Sequence, residues 1–545
     1  MMSEIQQQID GNIDLVVAPV GVGSLAQAVV SHFKRPGSST SVMTVEPDTA
    51  ACLYKSLQRG ELTSIETSPT IMTGLDCGTP SSIAWPLLQA SIDASCTISD
   101  YEAHEASLHL QNAGISAGPC GASGLAALRQ LTESDKLKLG LGKESVIVLL
   151  CTEGTRKYQV PRCVSVDDPV ELTQVLVQIN SASPTLGSVT GPGETAIAKF
   201  ITSWLEHRSI ETHWIEPIHG RPSVIGISRG SGRGKSLMFN GHVDTVTLEG
   251  YDGDPLSGVI ENGKLYGRGS ADMKSGLAAA MVALARAKQL SLRGDVMLAA
   301  VADEEDASIG TEQVLRAGWR ADAALVSEPT NEDIFNSHQG FVWLEVRVHG
   351  IASHGSRPDL GIDAISKAGH FLVELDRYAK TLLSGPEHPE VGHPSVHASI
   401  IKGGEETSSY PAKCTITLER RTVPGETPDS VRREVEELLQ IVHQKISDFQ
   451  YDVKVTFHRA PFQLPADHQF TRLVTDIVST TIGRDASLVG GPFWTDCALL
   501  HEAGIPCLLW GPKGEGLHSK LEWVDIDSIR TVSDGLVSVA ASFCK

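Results

Sequence analysis

Six side chains with metal-binding or acid–base chemistry follow short apolar runs between residues 242 and 518 of this 545-residue sequence. They are His242, Asp272, Glu304, Glu305, Glu328 and His518. Three of the runs, LMFN, VMLAAVA and AALVS, are typical of buried parallel strands, and open α/β sheets place catalytic groups at strand ends. Two histidines and three carboxylates suit a pair of zinc-like divalent ions, which leaves Glu304 as a candidate general base. This set predicts a hydrolase.

Composition narrows the class of protein. The net charge of −21 argues against nucleic acid or an anionic membrane as the main partner, because both require basic surface. Ten cysteines without a CxxC pair favour a reduced, intracellular protein. The N-terminal MMSEIQQQID lacks the pattern of a signal peptide, and no apolar run is long enough to span a bilayer. We therefore expect a cytoplasmic protein without a membrane segment.

Residues 1–160 form one Gly-, Ala- and Ser-rich block. A strand-like run, IDLVVAPV, leads into the glycine turn GVGS and then into the helical pattern LAQAVVSHF. The turn contributes Gly21, Gly23 and Ser24, and free backbone N–H groups in such a turn can hold an anion. The block therefore predicts an α/β domain with a candidate phosphate loop.

The rest of the chain indicates one domain interrupted by another. Strands and helices alternate over 166–340, which predicts the first part of a catalytic domain with a mostly parallel sheet. The order β-α-β-β-α-β over 341–455 predicts an inserted ferredoxin-like α+β domain, with an exposed edge strand at FVWLEVRV or SVHASII. The first pattern resumes over 456–545 and completes the catalytic domain.

Residues 166–545 resemble the M20 family of metallopeptidases and deacylases, nearest to its acetylornithine deacetylase and succinyl-diaminopimelate desuccinylase branch. The resemblance rests on FNGHVDTV, LYGRGSADMKSG, VADEED, LVSEPT and GLHSKLEWV, in that order. It implies a di-metal centre, with Zn²⁺ or Co²⁺ as the ions. In that centre His242 and Glu328 bind one ion, Glu305 and His518 bind the other, and Asp272 bridges them through a turn with a cis peptide bond.

The same resemblance assigns further roles. Glu304 takes a proton from water and returns it to the leaving amine, while Asp244 hydrogen-bonds the imidazole of His242. In the inserted domain His354 stabilises the oxyanion, often in the partner subunit, which implies a homodimer; an exposed loop histidine is the alternative. Arg421 grips the substrate carboxylate, with a plain surface ion pair as the alternative. Ser408 stands where relatives often carry asparagine, which leaves the acyl group open.

The N-terminal block resembles the second half of fold-type II pyridoxal-phosphate enzymes, closest to diaminopropionate ammonia-lyase. APVGVGSLAQAVV matches the phosphate loop, and GPCGASGLAAL matches the segment beside the pyridine ring, with Cys120 or Ser123 near its nitrogen. The lysine that forms the Schiff base belongs to the first half of that family, and no lysine precedes Gly21. We therefore expect a structural remnant that does not use pyridoxal phosphate.

Together these features predict a metal-dependent amidohydrolase that releases a free amino acid or diamine from a small N-acyl amino acid. Glutamate at position 328, where relatives that cleave peptides tend to carry aspartate, favours deacylation. Three alternatives stay open: a metallopeptidase acting on small peptides, a bifunctional protein with ammonia-lyase-like activity in residues 1–160, and a scaffold without activity.

Overall fold

The computed structural model describes residues 1–9 and 11–545 as two compact units. The first comprises Met1–Asp167 with Ala198–Thr212, and the second comprises Asp168–Ile197 with His213–Lys545. Within the described residues, none of the helices combines the length and the apolar character that a membrane span requires. The mixed α/β class predicted from the sequence is confirmed.

The first unit is built on a parallel four-stranded sheet in the order β3-β2-β1-β4. Its strands are β1 (Leu15–Pro19), β2 (Ser41–Pro47), β3 (Ala94–Ile98) and β4 (Ile147–Leu149). Its helices are α1 (Met2–Gln8), α2 (Ser24–Phe33), α3 (Cys52–Arg59), α4 (Trp85–Ser91), α5 (Asp100–Asn112), α6 (Pro119–Gln130) and α7 (Glu133–Lys138). The apolar run of β1 is buried on both faces, as expected of a central parallel strand.

The remaining chain contributes seventeen strands and nine helices. The strands are β5 (Glu211–Ile215), β6 (Ser223–Ser228), β7 (Leu237–His242), β8 (Ile260–Glu261), β9 (Lys264–Tyr266), β10 (Val296–Val301), β11 (Ala323–Val326), β12 (Ile334–His338), β13 (Gly340–His349), β14 (Ser395–Gly403), β15 (Lys413–Thr422), β16 (Gln450–Arg459), β17 (Phe462–Gln463), β18 (Leu488–Gly491), β19 (Cys507–Leu509), β20 (Gly514–Glu515) and β21 (Trp523–Asp525). The helices are α8 (Pro169–Val177), α9 (Thr195–His207), α10 (Ser275–Ala287), α11 (Ile309–Arg316), α12 (Ala364–Ser384), α13 (Pro428–Lys445), α14 (Gln469–Ile482), α15 (Cys497–Glu502) and α16 (Ile526–Phe543).

A nine-stranded sheet forms the core of the second unit. Its order is β17-β12-β19-β11-β7-β10-β6-β5, with β18 paired to β12. The central strands β10, β7, β11 and β19 are parallel, whereas β6 runs antiparallel to β10 and β12 runs antiparallel to β19. The predicted mostly parallel sheet is therefore confirmed at its centre, where β7, β10 and β11 are buried along their whole length.

The inserted segment folds as an antiparallel sheet in the order β14-β15-β13-β16, with α12 and α13 on one face. Alternate residues of β13 are buried against the helices, as the sequence pattern indicates. Pro428 lies in the first turn of α13, and Thr427 caps that helix. Of the two proposed edge strands, FVWLEVRV is wrong because β13 pairs on both sides, whereas SVHASII forms the edge strand β14.

Candidate metal centre

Three adjacent strand ends build the centre. Strands β7, β10 and β11 are parallel and hydrogen-bonded side by side, so their carboxyl ends share one edge of the sheet. His242 is the last residue of β7, Glu304 and Glu305 follow β10, and Glu328 follows β11. The short apolar runs of the sequence thus place four of the six candidate side chains together.

His242 lies at the middle of a carboxylate cluster. Its imidazole is fully buried, and Nε2 is 3.1 Å from Asp272 Oδ1, 3.7 Å from Glu328 Oε1 and 4.0 Å from Glu304 Oε2. These separations are those of neighbouring ligand atoms around a shared ion.

Asp272 faces two histidines with its two carboxylate oxygens. Oδ1 is directed to His242, while Oδ2 lies 3.4 Å from Nε2 of His518. His518 Nε2 is also 2.8 Å from Glu305 Oε2. All six sequence-predicted side chains are therefore brought into one cluster by the fold.

Two overlapping sets of three residues have ligand atoms that all lie within 4.8 Å of one another. One contains His242, Asp272 and Glu305, and the other contains His242, Glu304 and Glu328. Glu304 is itself a member of the second set and is therefore also placed to bind an ion. The assignment of Glu304 as the base and Glu305 as a metal ligand stays a prediction.

The cluster contains four carboxylates and two imidazoles, and both burial and repulsion among the carboxylates affect the pKa values of the glutamates. Burial raises the pKa of Glu304 and of Glu328 well above the ordinary value. Repulsion from Glu328 raises the pKa of Glu304 further, and repulsion from Asp272 and Glu305 raises that of Glu328. Burial and then repulsion from Asp272 raise the pKa of Glu305 to about 7. Buried carboxylates crowded in this way are the donor set that a divalent cation stabilises. The residues present therefore fit a metal centre.

The pKa values of the two histidines are raised as well, because the surrounding carboxylates favour the protonated imidazole. Burial opposes protonation of His242, but the nearby Glu328, Asp272 and Glu304 outweigh it and raise the pKa well above its ordinary value. Hydrogen bonds to Asp272 and Glu305 raise the pKa of His518 to about 10. Burial would raise the pKa of Asp272, yet its bonds to both histidines hold it well below the ordinary value.

Asp244 acts on the backbone of the glutamate pair. Its carboxylate accepts hydrogen bonds from the amides of Glu304 and Glu305, both at 3.2 Å. The imidazole Nδ1 of His242 lies 3.0 Å from the backbone oxygen of Asp244 and 3.6 Å from its carboxylate. In this geometry it is the carbonyl of Asp244 that accepts the hydrogen bond orienting the imidazole.

The turn that carries Asp272 is held by Glu522, which the sequence reasoning did not identify. The buried carboxylate accepts hydrogen bonds from the backbone amides of Gly269, Ala271 and Asp272 at 2.9–3.0 Å, and from Arg268 Nη1 at 3.0 Å. The peptide bond after Asp272 is cis, in agreement with the resemblance. The only sequence signal for Glu522 is its place four residues after His518.

A second buried ion pair holds the turn before Glu304. Asp303 has a left-handed backbone (φ 68°), and its carboxylate pairs with Arg221. Arg221 also donates to Glu194 at 2.7–3.0 Å, and both side chains are buried. Arg221 and Glu194 belong to no recognisable motif, and both lie more than 80 positions before Asp303 in the sequence. The sequence alone therefore gave no indication of this ion pair.

The sequence model of the peptidase family M20/M25/M40 matches residues 238–542, which is more than half of the chain and contains every residue of the cluster. The chain belongs to this family. It is therefore a metal-dependent hydrolase of amide bonds. A model of pyridoxal-phosphate dependent enzymes matches residues 1–153, which confirms the resemblance of the N-terminal block.

Relatives and solved structures agree with the family. An acetylornithine deacetylase from Myxococcus xanthus is 28% identical over 59% of this chain and 84% of its own. An N-formyl-4-amino-5-aminomethyl-2-methylpyrimidine deformylase from Bacillus subtilis is 25% identical over 69% of this chain and 95% of its own. The aminopeptidase PepT from Bacillus cereus shares the fold, with a TM-score of 0.57 and 18% identity over 70% of this chain and 99% of its own.

Three further predicted residues of this M20/M25/M40 chain lie in the inserted domain. His354 is exposed, and Nδ1 lies 2.8 Å from Ser356 Oγ; no contact joins it to the metal cluster within the described residues. Arg421 Nε donates to Glu419 at 2.7 Å, the ion pair that was its alternative interpretation. Ser408 is exposed, and its carbonyl accepts from Gly355. In the part of the chain that the structure describes, none of these three residues contacts the carboxylate and histidine cluster.

The glycine turn of the first unit lies between β1 and α2, as predicted. Gly23 has φ 98°, which favours glycine, and Ser24 begins α2. A Cβ at Gly21 would approach Cys77 Sγ and the Gly74 carbonyl, both to 3.1 Å. At α6 the Glu153 carboxylate accepts from the amide of Cys120 at 2.8 Å, so a side chain of this unit already binds the first turn of that helix.

Proposed function

We propose that this chain removes the acyl group from an N-acyl amino acid by hydrolysis of the amide bond, using two divalent ions of the zinc type. The observation that carries the proposal is the placement of Asp272, whose two oxygens face His242 and His518 at 3.1 and 3.4 Å. A carboxylate between two separate imidazoles is the arrangement expected of a bridging ligand.

The donor set divides into two groups around Asp272. In our proposal His242 and Glu328 hold one ion, and Glu305 and His518 hold the other. The chemistry supplied by such ions is Lewis acidity, which makes an amide carbonyl more electrophilic and water easier to deprotonate. The mixture of imidazole and carboxylate donors supports Zn²⁺ or Co²⁺.

Glu304 is the proposed general base. Burial and its neighbours raise its pKa well above the ordinary value, so it can hold a proton taken from water until the amine leaves. Asp244 aligns Glu304 and Glu305 together because it binds both of their amides. Removal of water's proton and protonation of the leaving nitrogen are thereby assigned to one side chain.

The substrate class rests on the relatives and on the inserted domain. Two relatives are named as a deacetylase and a deformylase, names that describe removal of an acyl group. Arg421 is proposed to bind the substrate carboxylate through its terminal Nη groups, since Nε is committed to Glu419. His354 is proposed to reach the oxyanion in the active site of a partner subunit, because it is exposed on the inserted domain.

The first test compares the two adjacent glutamates. Glu304→Gln keeps the size but cannot accept a proton, so kcat should fall at least ~10²-fold while metal content is unchanged. Glu305→Gln should lose metal as well as activity. Metal analysis and initial rates, before and after chelation and re-addition of Zn²⁺ or Co²⁺, measure both effects. Loss of metal in Glu304→Gln with retention in Glu305→Gln would reverse the assignment.

The second test separates deacylation from peptide hydrolysis. The metal-loaded protein is assayed against N-acetyl, N-formyl and N-succinyl amino acids and against di- and tripeptides. We expect amine release from the N-acyl amino acids. Turnover of the peptides alone would replace the proposed substrate class with that of a small-peptide peptidase.

A further inference from the structure

We propose that Arg459 is a positioning residue that couples the inserted domain to the loop carrying Glu304 and Glu305. Arg459 is the last residue of β16, where the inserted domain returns to the catalytic sheet. This inference rests on the proposed role of Glu304.

The Arg459 side chain reaches out of its own domain. Its guanidinium donates from Nη1 to Glu312 Oε1 at 2.6 Å and from Nη2 to the carbonyl of Ala307. Ala307 lies two residues after Glu305, and Glu312 is on α11, directly after the loop. One buried cation from the inserted domain thus binds both the loop and the helix that follows it.

The contact at Ala307 is connected to the proposed base by a short path. Ser308, the next residue, donates from Oγ to the backbone carbonyl of Glu304 at 3.2 Å, and its amide binds the carbonyl of Asp303 at 2.5 Å. A displacement of Ala307 therefore moves the backbone of Glu304. Such coupling matters because a shift of about 1 Å in a catalytic group can cost roughly 10²-fold in rate.

Thr311, the residue of α11 that precedes Glu312, is bound to the strand that carries His242. Thr311 donates to Asp496 Oδ2 at 2.7 Å and accepts from Asn240 Nδ2 at 3.0 Å. Asn240 lies on β7 two residues before His242. Helix α11 is thus bound to β7 through Thr311 and to Arg459 through Glu312, so the orientation of the inserted domain is one of the restraints on the loop.

The junction around Arg459 is tightly packed. Its guanidinium lies over the rings of Phe457 at 4.7 Å and Trp494 at 5.7 Å, and the indole of Trp494 donates to the carbonyl of Ala460 at 3.1 Å. A Cβ at Gly340, on the other connecting strand, would lie 2.5 Å from the carbonyl oxygen of Arg459. This packing fixes the stem of Arg459, so its guanidinium moves with the inserted domain.

The test uses Arg459→Met, Arg459→Lys and Glu312→Gln in the full-length, metal-loaded protein. We expect Arg459→Met to lower kcat by about 10²-fold with metal content unchanged and KM within roughly threefold of the parent. Arg459→Lys keeps the charge and should recover part of kcat, and Glu312→Gln, which leaves the bond to Ala307 intact, should lose less. Arg316→Met is the matched control, because Arg316 is exposed and binds the other oxygen of Glu312, at 3.0 Å.

Two results would overturn the inference. One is a parental kcat in Arg459→Met. The other, decisive if Arg459→Met does not fold, is a parental kcat in both Arg459→Lys and Glu312→Gln. Glu304→Gln, assayed in parallel, separates the two proposals. An inactive Glu304→Gln beside fully active Arg459 and Glu312 variants rejects the coupling alone, whereas an active Glu304→Gln rejects the proposed base.

Discussion

At the scale of single residues, the side chains that shape the centre are as important as those proposed to bind ions. The carboxylate of Glu522 accepts hydrogen bonds from three backbone amides at and before Asp272 and forms an ion pair with Arg268. Arg268 also donates to the carbonyl of Ser519, the residue after His518. Glu522 therefore joins two segments that each contribute a proposed ligand. Since both members of the ion pair are buried, neither is easily replaced.

We predict that Glu522→Gln loses stability, metal and activity together. The amide cannot accept from all four donors, and it leaves Arg268 buried without a full counter-charge, a change that costs about 3–5 kcal/mol in comparable buried pairs. Thermal unfolding and metal analysis measure the effect. Glu515→Gln is the control, because Glu515 lies on the neighbouring strand β20 and is exposed. A parental melting temperature with full metal content would contradict the role given to Glu522.

At the scale of elements, the inserted domain has one edge strand that is suited to association. Residues of β14 are mostly exposed, and Ile400 and Ile401 are 50% and 51% exposed. An unpaired edge with apolar side chains can add a second strand, and a two-fold axis would pair β14 with its twin. This pairing would extend the sheet and bring the exposed His354 toward a partner.

We predict that replacing Ile400 and Ile401 by lysine converts a homodimer into a monomer, because charge on the edge opposes strand pairing. Sedimentation or light scattering measures the mass. Ile441→Lys is the control, since Ile441 is an exposed isoleucine on the helix α13. An unchanged mass in the double lysine variant would place the dimer contact elsewhere or indicate a monomeric parent.

At the scale of the whole molecule, the two compact units are not two consecutive stretches of the sequence. Residues Ala198–Thr212 belong to the first compact unit, although they lie downstream of the N-terminal block. His207, at the end of α9, pairs with the buried Asp48 at 3.1 Å, and that bond raises the pKa of His207 despite its burial. The end of this helix therefore depends on a residue of the N-terminal block.

We predict that a truncated chain beginning at Val164 keeps its metal and its kcat but unfolds at a lower temperature. Every proposed ligand lies after residue 240, which preserves the chemistry, whereas loss of Asp48 and its surroundings exposes the end of α9. Calorimetry, metal analysis and kinetics distinguish the two effects, with full-length Asp48→Asn as the comparison. A folded, metal-loaded truncation without turnover would show that the N-terminal block shapes the active site.

The sequence by itself determined the helices and strands and the residues that stand at their ends, because these depend on local patterns of apolar residues. Each apolar run predicts a strand, and His242, Glu304 and Glu328 stand at or just after the ends of three such runs. Because parallel strands end at the same edge of a sheet, the cluster could be predicted. The order of elements over 341–455 likewise predicted the ferredoxin-like topology, because each helix and strand has its own period.

Only the tertiary structure decided which distant segments meet. Glu522 and Asp272 are 250 positions apart, and Arg459 and Ala307 are 152 apart, yet each pair is joined by a hydrogen bond that no local pattern records. Strand pairing likewise decided between the two candidate edge strands, because β13 pairs on both sides whereas β14 pairs with β15 alone. Apolar periodicity specifies elements and the face each one buries, whereas the choice of polar partners depends on how those elements pack.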